Sequence, residues 1–423
     1  MCIPTQRRIV LILFVLLAAG CSQRGSIVPS LGGDGAGMAS IHRTIPVHVL
    51  TWDDLGGGDG ITLNPWSIAT PWLTYASTTF GDSAAIADAQ IIPAVYTNPN
   101  RQGPGDPMYT NDESTFAHDC SGNRIKSLGV GVGKFLMNPN SSHLSALWHD
   151  YVRGGFVDGA VFTYIFEDKA DTINKTSATP CNFNQTDWTN ATDGLDMALG
   201  FTIIYNSLGD TAGQNGQPQI APSFALNATS AGGMSEDCYV TMNAQPYQRD
   251  LGWQVKEDTE IDMAAAGRYF VCDASDSSPA AQSYAERIYY LASALLTYDP
   301  NTTIFETCFK TAKALHVLPE TQLVPTAPLV AQPTSIDSLY QSGGGYGREY
   351  AHCYYAGVDL GACAAFVNPN KPGTAAVPFP WPTKYLHTLK LSGGGVLDGG
   401  TATPTGAPPP ATFGPTTATI AFP

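Results

Sequence analysis

The chain has 423 residues, 43% of them hydrophobic and only 13% charged, with 43 glycines, 31 prolines and a formal net charge of -15. That length exceeds one average domain and fits a large barrel with a small appendage, while the scarcity of charge means that neutral polar loops build much of the surface. So negative a chain repels polyanions, which excludes nucleic-acid backbones and anionic membrane surfaces as partners.

The first residues read as an export signal. Arg7 and Arg8 are basic, Ile9 to Leu17 form an apolar run too short to span a bilayer, and Ala18-Ala19-Gly20-Cys21 is a small-residue processing site. This resembles a bacterial lipoprotein signal over residues 1–21, which implies lipidation of Cys21 and attachment to a membrane of the cell envelope, with secretion as the alternative. Residues 22–43, rich in Gly and Ser, would then be a flexible tether. No later segment is a long uncharged apolar run, so the body is expected to be a soluble monomer.

Short apolar runs then alternate with helical or loop segments. Strands are expected at Ile45 to Trp52, Ile91 to Tyr96, Lys134 to Met137, Ala160 to Phe166, Gln219 to Ala225, Gly232 to Tyr239, Arg268 to Cys272 and Thr302 to Phe309. Eight parallel-type strands with crossovers predict an α/β fold, a (β/α)8 TIM barrel over residues 44–345. Helices are expected at Asn190 to Leu208, at Val255 to Ala266, and from Ser278-Pro279 to Asp299-Pro300. Pro325 to Pro333 reads as a proline-rich crossing, and Ser335 to Ser342 as a last helix. From Arg348 the signals turn β-like, at Tyr350 to Ala356, Ala362 to Val367, Tyr385 to Leu391 and Thr417 to Ala421, so residues 346–423 are expected to form a small antiparallel β domain.

Export into an oxidising compartment favours disulfides. Cys353 and Cys363 flank a short Gly-containing turn and are the first expected pair; Cys120 and Cys181, in polar loops, are candidates for a second. Cys238, Cys272 and Cys308 lie in apolar runs, where buried thiols are expected. No CxxC pair occurs and the histidines are scattered, so neither a metal nor another cofactor is expected.

The expected strand ends deliver carboxylates and amides to one face: Trp52-Asp53-Asp54, Tyr96 and Asn98, Asn138, Glu167-Asp168, Asn227, Glu236, Asp273 and Glu306. Acids, amides and aromatic rings together suit a carbohydrate, whose hydroxyls need hydrogen-bond partners and whose C–H faces stack on rings. Asn-Pro-Asn recurs at Asn98, Asn138 and Asn368, each time after an apolar run, where turn chemistry is sufficient; at Asn98 and Asn138 the amides are also expected at the barrel mouth, where they could bind sugar hydroxyls. Glycoside hydrolysis needs two carboxyl groups across the scissile bond. Asp168 is the expected nucleophile, because Glu167 and Asp168 point to opposite sides of the strand and Asp168 stands at its very end. Glu236, crowded by other carboxylates, is the expected general acid/base.

Val157-Asp158-Gly159-Ala160-Val161-Phe162, continuing to Phe166-Glu167-Asp168, resembles the "DG-x-F…D" fourth strand of glycoside-hydrolase-like barrels, including the endo-α-1,4-polygalactosaminidase type. The resemblance spans roughly Ile45 to Phe309. With the related α-galactosidases, it implies catalytic acids on strands four and six and a trailing β domain. Thr163-Tyr164-Ile165 interrupt the motif before the acids, leaving Asp158, Glu167 and Asp168 as alternatives for the strand-four acid. The function expected is that of an exported glycoside hydrolase cleaving an O-glycosidic bond in a poly- or oligosaccharide. The alternative is a non-catalytic, glycan-binding surface lipoprotein on the same scaffold.

Overall fold

The computed structural model describes residues 49–52, 72–128, 133–168, 176–181, 183–206, 208, 223–236, 238–240, 245–273, 283–307, 317–341, 343–396 and 399–423. Cys21, Asp53, Asp54, Cys308 and the Ser278-Pro279 pair lie outside these residues. Eight parallel strands form one sheet: β1 (Val49–Trp52), β2 (Tyr75–Thr78), β3 (Ile92–Thr97), β4 (Tyr164–Glu167), β5 (Ile203–Asn206), β6 (Ser230–Ser235), β7 (Tyr269–Asp273) and β8 (Thr303–Thr307). They pair in chain order, and β1 pairs with β8 as well as with β2, so the sheet closes on itself. Around it lie α1 (Phe80–Asp88), α2 (Ser142–Val157), α3 (Gln185–Leu199), α4 (Trp253–Ala265) and α5 (Tyr284–Thr297).

Two expected strands are corrected, and two unexpected ones replace them. Lys134 to Met137 does not enter the barrel; Phe135–Leu136 pairs with Arg101–Gln102 in a long excursion between β3 and β4. Gln219 to Ala225 is no strand where it is described, since Ser223–Leu226 is a 3-10 turn. Tyr75–Thr78 fills the second position. Ile203–Asn206 fills the fifth, although it continues the apolar pattern of the expected helix Asn190 to Leu208. That helix stops at Leu199 because Gly200 adopts φ 72°, the left-handed conformation of a helix C-terminus. Its start is a capping box between Asn184 and Asp187, and Ser283 with Glu286 starts α5 in the same way. The omissions and insertions cancel, so Asp168 still follows the fourth strand and Glu236 the sixth.

Side chains two residues apart share a strand face, which stacks the barrel interior in tiers. The lowest tier holds Tyr75, Tyr164 and Tyr269, with ring centroids 5.9 to 6.2 Å apart. Two steps further along come Ser77, Phe166 and Val271, and two steps beyond these Asp168 and Asp273, at the carboxyl ends of their strands. Gly232 on β6 permits a close approach to β7, since a Cβ there would stand 2.1 Å from the Tyr269 carbonyl oxygen.

An antiparallel sheet follows, of β9 (Leu323–Pro328), β10 (Tyr346–Tyr355), β11 (Cys363–Asn368) and β12 (Thr417–Phe422) in that spatial order, with His387–Thr388 at the β12 edge. Pro325 to Pro333 therefore begins as a strand rather than a crossing, and the expected last helix is a 3-10 turn at Ile336–Leu339. The sheet is held to α5 by buried charge. Arg287 donates through Nε to Glu320 at 2.6 Å and through Nη1 to the Gly393 carbonyl at 3.2 Å, and Arg348 donates to the Leu296 and Tyr298 carbonyls at 3.0 and 3.3 Å. Breaking such a buried pair strands a charge, at a cost of about 3–5 kcal/mol.

Cys120–Cys181, Cys238–Cys272 and Cys353–Cys363 are disulfides. The expectation of buried thiols at Cys238 and Cys272 is thus corrected: the residue after the β6 turn is linked to the outward face of β7. Disulfides of this number suit a protein that matures in an oxidising compartment. Among the described residues, no helix is long and apolar enough to cross a membrane.

Candidate active site at the barrel mouth

Asp168 is the centre of the site. Tyr96 Oη donates to its Oδ2 at 2.7 Å, Asn98 Nδ2 to the same oxygen at 3.1 Å, and Asn206 Nδ2 to its Oδ1 at 2.8 Å. Donors thus reach both oxygens, the environment of an acceptor-only carboxylate held in one orientation. Tyr96 and Asn98 come from the end of β3, and Asn206 closes β5.

Asn206 carries two amide hydrogens and uses the same nitrogen twice, donating to Glu236 Oε1 at 2.6 Å. Two bonds laid end to end limit the Asp168 Oδ1 to Glu236 Oε1 separation to about 5.4 Å. Glu236 is half-buried at the turn after β6, and that turn is gripped from α4. The buried Lys256 ammonium donates to Ser235 Oγ at 2.9 Å and to the Glu236 carbonyl at 3.2 Å.

The other side of the mouth is acidic. Glu306 on β8 is in register with Asp273 on β7. Glu306 is only 1% exposed, and neither of its carboxylate oxygens has a hydrogen-bond partner among the described residues. Burial pushes its carboxyl well above the usual range, and the charges of Asp273 and Glu236 add to the effect. The mouth therefore combines two acidic side chains bridged by one amide with a third, fully buried one.

No family model matches the chain, and no curated protein does. Among solved structures, the chain is similar to Aspergillus fumigatus Ega3 in complex with galactosamine, at 10% identity and a TM-score of 0.38, covering 64% of this chain and 96% of that one. It is similar to the glycoside hydrolase domain of PelA from Pseudomonas aeruginosa, at 10% identity and 0.39, covering 61% and 93%. It is also similar to the GH36 α-galactosidase AgaA from Geobacillus stearothermophilus, at 8% identity and 0.43, covering 90% and 56%.

Not every expected residue reaches this group. Glu167 points the other way, into the helix layer, where Asn100 Nδ2 donates to its Oε1 at 2.8 Å and Asp196 of α3 faces it. Burial raises the carboxyl groups of Glu167 and Asp196 well above their ordinary values, and for Glu167 the facing Asp196 adds to this. The pair lies behind the site, on the outward face of the strand. Asp158 is exposed at the opposite end of β4. Asn138 turns the β3–β4 excursion, its Oδ1 accepting from the Asn140 backbone amide at 3.1 Å. Asn227 precedes β6 and so sits at the amino end of the barrel, about 20 Å of strand away from Glu236. There it holds Asp193 at 2.5 Å and the Thr229 amide at 2.9 Å. Asn368 supports the C-terminal sheet by donating to the Phe413 and Gly414 carbonyls at 3.1 and 2.8 Å. Trp52 ends β1 in register with Ser77. Asn206 joins this group without having been expected there. Its signal was the β-branched pair Ile203-Ile204, which follows Gly200 after Phe201 and Thr202.

Proposed function

We propose that this chain is an exported glycoside hydrolase that cleaves an O-glycosidic bond of a poly- or oligosaccharide with retention of configuration. Asp168 is the nucleophile and Glu236 the general acid/base. The observation that carries the reading is the pair of hydrogen bonds from Asn206 Nδ2, which keeps Asp168 Oδ1 within about 5.4 Å of Glu236 Oε1. Carboxyl groups about 5–5.5 Å apart suit a covalent glycosyl intermediate, whereas inversion needs about 6.5–9.5 Å to admit water between them.

Asp168, oriented by three donors, attacks the anomeric carbon while Glu236 gives a proton to the leaving oxygen. Glu236 then takes a proton from the water that releases the sugar. The half-buried Tyr96 ring, stacked 6.3 Å from Phe166, supplies an aromatic surface of the kind that the C–H face of a sugar packs on.

The test is turnover of a panel of aryl glycosides and bacterial and fungal polysaccharides by the wild type, Asp168→Asn and Glu236→Gln, with the anomer of the first product followed by NMR. The reading expects at least a 10³-fold loss in either variant and a retained anomer. Full activity in both variants overturns it. An inverted product overturns the nucleophile assignment alone. Glycan binding without turnover by the wild type would establish the non-catalytic alternative.

A further inference from the structure

The apolar run that leads into β4 is divided by the fold. Its second half, Tyr164 to Phe166, is buried in the barrel, but its first half is not. Phe156 is 44% exposed, Val157 86% and Val161 51%, at the end of α2 and in the turn that enters β4. Phe156 stacks on Phe162 at 4.2 Å and on Phe201 at 5.6 Å, and Phe201 stands in the turn that enters β5. Met197, 48% exposed on the last turn of α3, lies at the same end. An aromatic and aliphatic surface therefore covers the amino end of the barrel around β4 and β5, opposite the Asp168 mouth. Isolated exposed apolar residues are ordinary; aromatic rings in mutual contact with an 86% exposed valine beside them are not.

Chain direction adds a second observation. All eight strands are parallel, so β1 also begins, at Val49, at this amino end, and whatever precedes Val49 joins the barrel there. The segment upstream contains the Ala18-Ala19-Gly20-Cys21 processing site, 28 residues before Val49. Fully extended, such a segment reaches at most about 90 Å. A lipid on Cys21 would hold the barrel over a bilayer at high effective concentration, and the face nearest the attachment is the apolar one.

We propose that the surface formed by Phe156, Val157, Val161, Phe162 and Phe201 docks on the lipid bilayer that carries the Cys21 anchor, so that the barrel stands on its amino end with the Asp168 mouth facing away from the membrane. The net charge of -15 favours a zwitterionic over an anionic surface, and the contact is apolar insertion at the headgroup boundary. The catalytic reading is not needed for this inference. An outward mouth would meet polymers outside the membrane, whereas a mouth pressed on the bilayer would be closed to them.

The experiment uses the full mature chain, reconstituted in phosphatidylcholine vesicles and floated to isolate the anchored protein. A polarity-sensitive fluorophore is attached at Val157→Cys or, at the mouth end, at Leu128→Cys, with the parent chain setting the labelling background. Val157 and Leu128 are both exposed, so neither substitution threatens folding. The expected result is a blue shift of the Val157 label on vesicles, quenching of that label by doxyl lipids, and no change at Leu128. In the non-acylated Cys21→Ser chain, residual vesicle binding should fall several-fold on Val157→Ser. An aqueous Val157 label in floated protein overturns the proposal. So does a shift that follows protein concentration without vesicles, which would assign the surface to a second copy of the chain. A mature chain that fails to float overturns it together with the Cys21 reading. Glycosidase assays on the same preparation report separately on the function proposed above.

Discussion

Asn206 Nδ2 lies 2.8 Å from Asp168 Oδ1, an amide from the end of one strand holding a carboxylate from the end of its neighbour. The same nitrogen holds Glu236 at 2.6 Å, so Asn206 sets both the direction and the spacing of the acids. Hydrogen bonds to charged groups contribute about 1.5–3 kcal/mol each. Asn206→Ala should therefore lower kcat/KM on a cleavable glycoside by about 10²-fold, mainly in kcat, with an unchanged far-UV circular dichroism spectrum. Asn206→Asp should be at least as damaging, because an ionised carboxylate there has no hydrogen to give and repels both neighbours. Wild-type kcat in the Ala variant would remove Asn206 from the mechanism.

Glu306 and Glu236 should respond oppositely to the same conservative change. Glu306 is buried beside Asp273 without a hydrogen-bond partner among the described residues, and burial disfavours its charged form, so an uncharged amide of the same shape should be tolerated there. Glu306→Gln is expected to keep kcat within about fivefold of wild type at pH 6. Glu236→Gln, which leaves no proton to give to the leaving group, should abolish turnover of substrates with poor leaving groups. Steady-state kinetics of the two variants on one substrate decides it.

A second group of buried acids gives a pH dependence to stability. Between α4 and α5, Glu260 accepts from Tyr239 Oη at 2.9 Å, Thr297 Oγ1 at 2.9 Å and Thr303 Oγ1 at 2.7 Å, and Glu257 accepts from Thr297 Oγ1 at 3.0 Å. Burial pushes Glu260 up to about 7, with Arg348 opposing the rise, and raises Glu257 well above its ordinary value with the Glu260 charge adding to it. Below about pH 4 both groups are protonated whether the chain is folded or not. As the pH rises towards 7 the unfolded chain gives up these protons first, so the native state loses stability across that interval. Glu260→Gln removes its share of the slope. Urea melts at pH 4.5 and 8 should find the variant gaining of order 3 kcal/mol relative to wild type between the two. Parallel pH profiles for the two proteins would contradict the buried-acid account.

Much of the scaffold was legible because burial on both faces leaves an unbroken apolar run, as at Tyr269-Phe270-Val271-Cys272, and because the antiparallel strands at Tyr346–Tyr355 and Thr417–Phe422 are bounded by Gly and Pro. Tyr75–Thr78 escaped because two of its four residues are small and polar, Ser77 and Thr78, which pack inside a barrel but carry no hydrophobic signal. Ile203–Asn206 escaped because its apolar residues continue the helical period of Leu195 and Leu199. Alternation assigns Asp168 and Glu167 to opposite faces of the strand but does not say which of them faces inward. Nothing local distinguishes Asn206, bridging two acids, from Asn227, capping a turn at the other end of the barrel. Only the closure of the sheet does.

The link between Cys238 and Cys272 makes a last prediction about the site's framework. It closes a loop across 34 positions, from just beyond Glu236 to the residue before Asp273, and the Cys238 amide also donates to the Asp273 carbonyl at 2.7 Å. In the chain-entropy account, opening such a loop costs about 4 kcal/mol, nearly all of it through the unfolded state. Cys238→Ala/Cys272→Ala should therefore lower the urea midpoint markedly. The turn that carries Glu236 keeps its grip from Lys256 in this variant, so kcat at 25 °C should fall only a few-fold. Heating should separate the two effects: the variant is expected to lose activity well below the wild-type transition and in step with loss of tertiary structure by near-UV circular dichroism. If activity disappears at 25 °C while the fold remains, the disulfide positions Glu236 directly and the Lys256 contacts do not suffice.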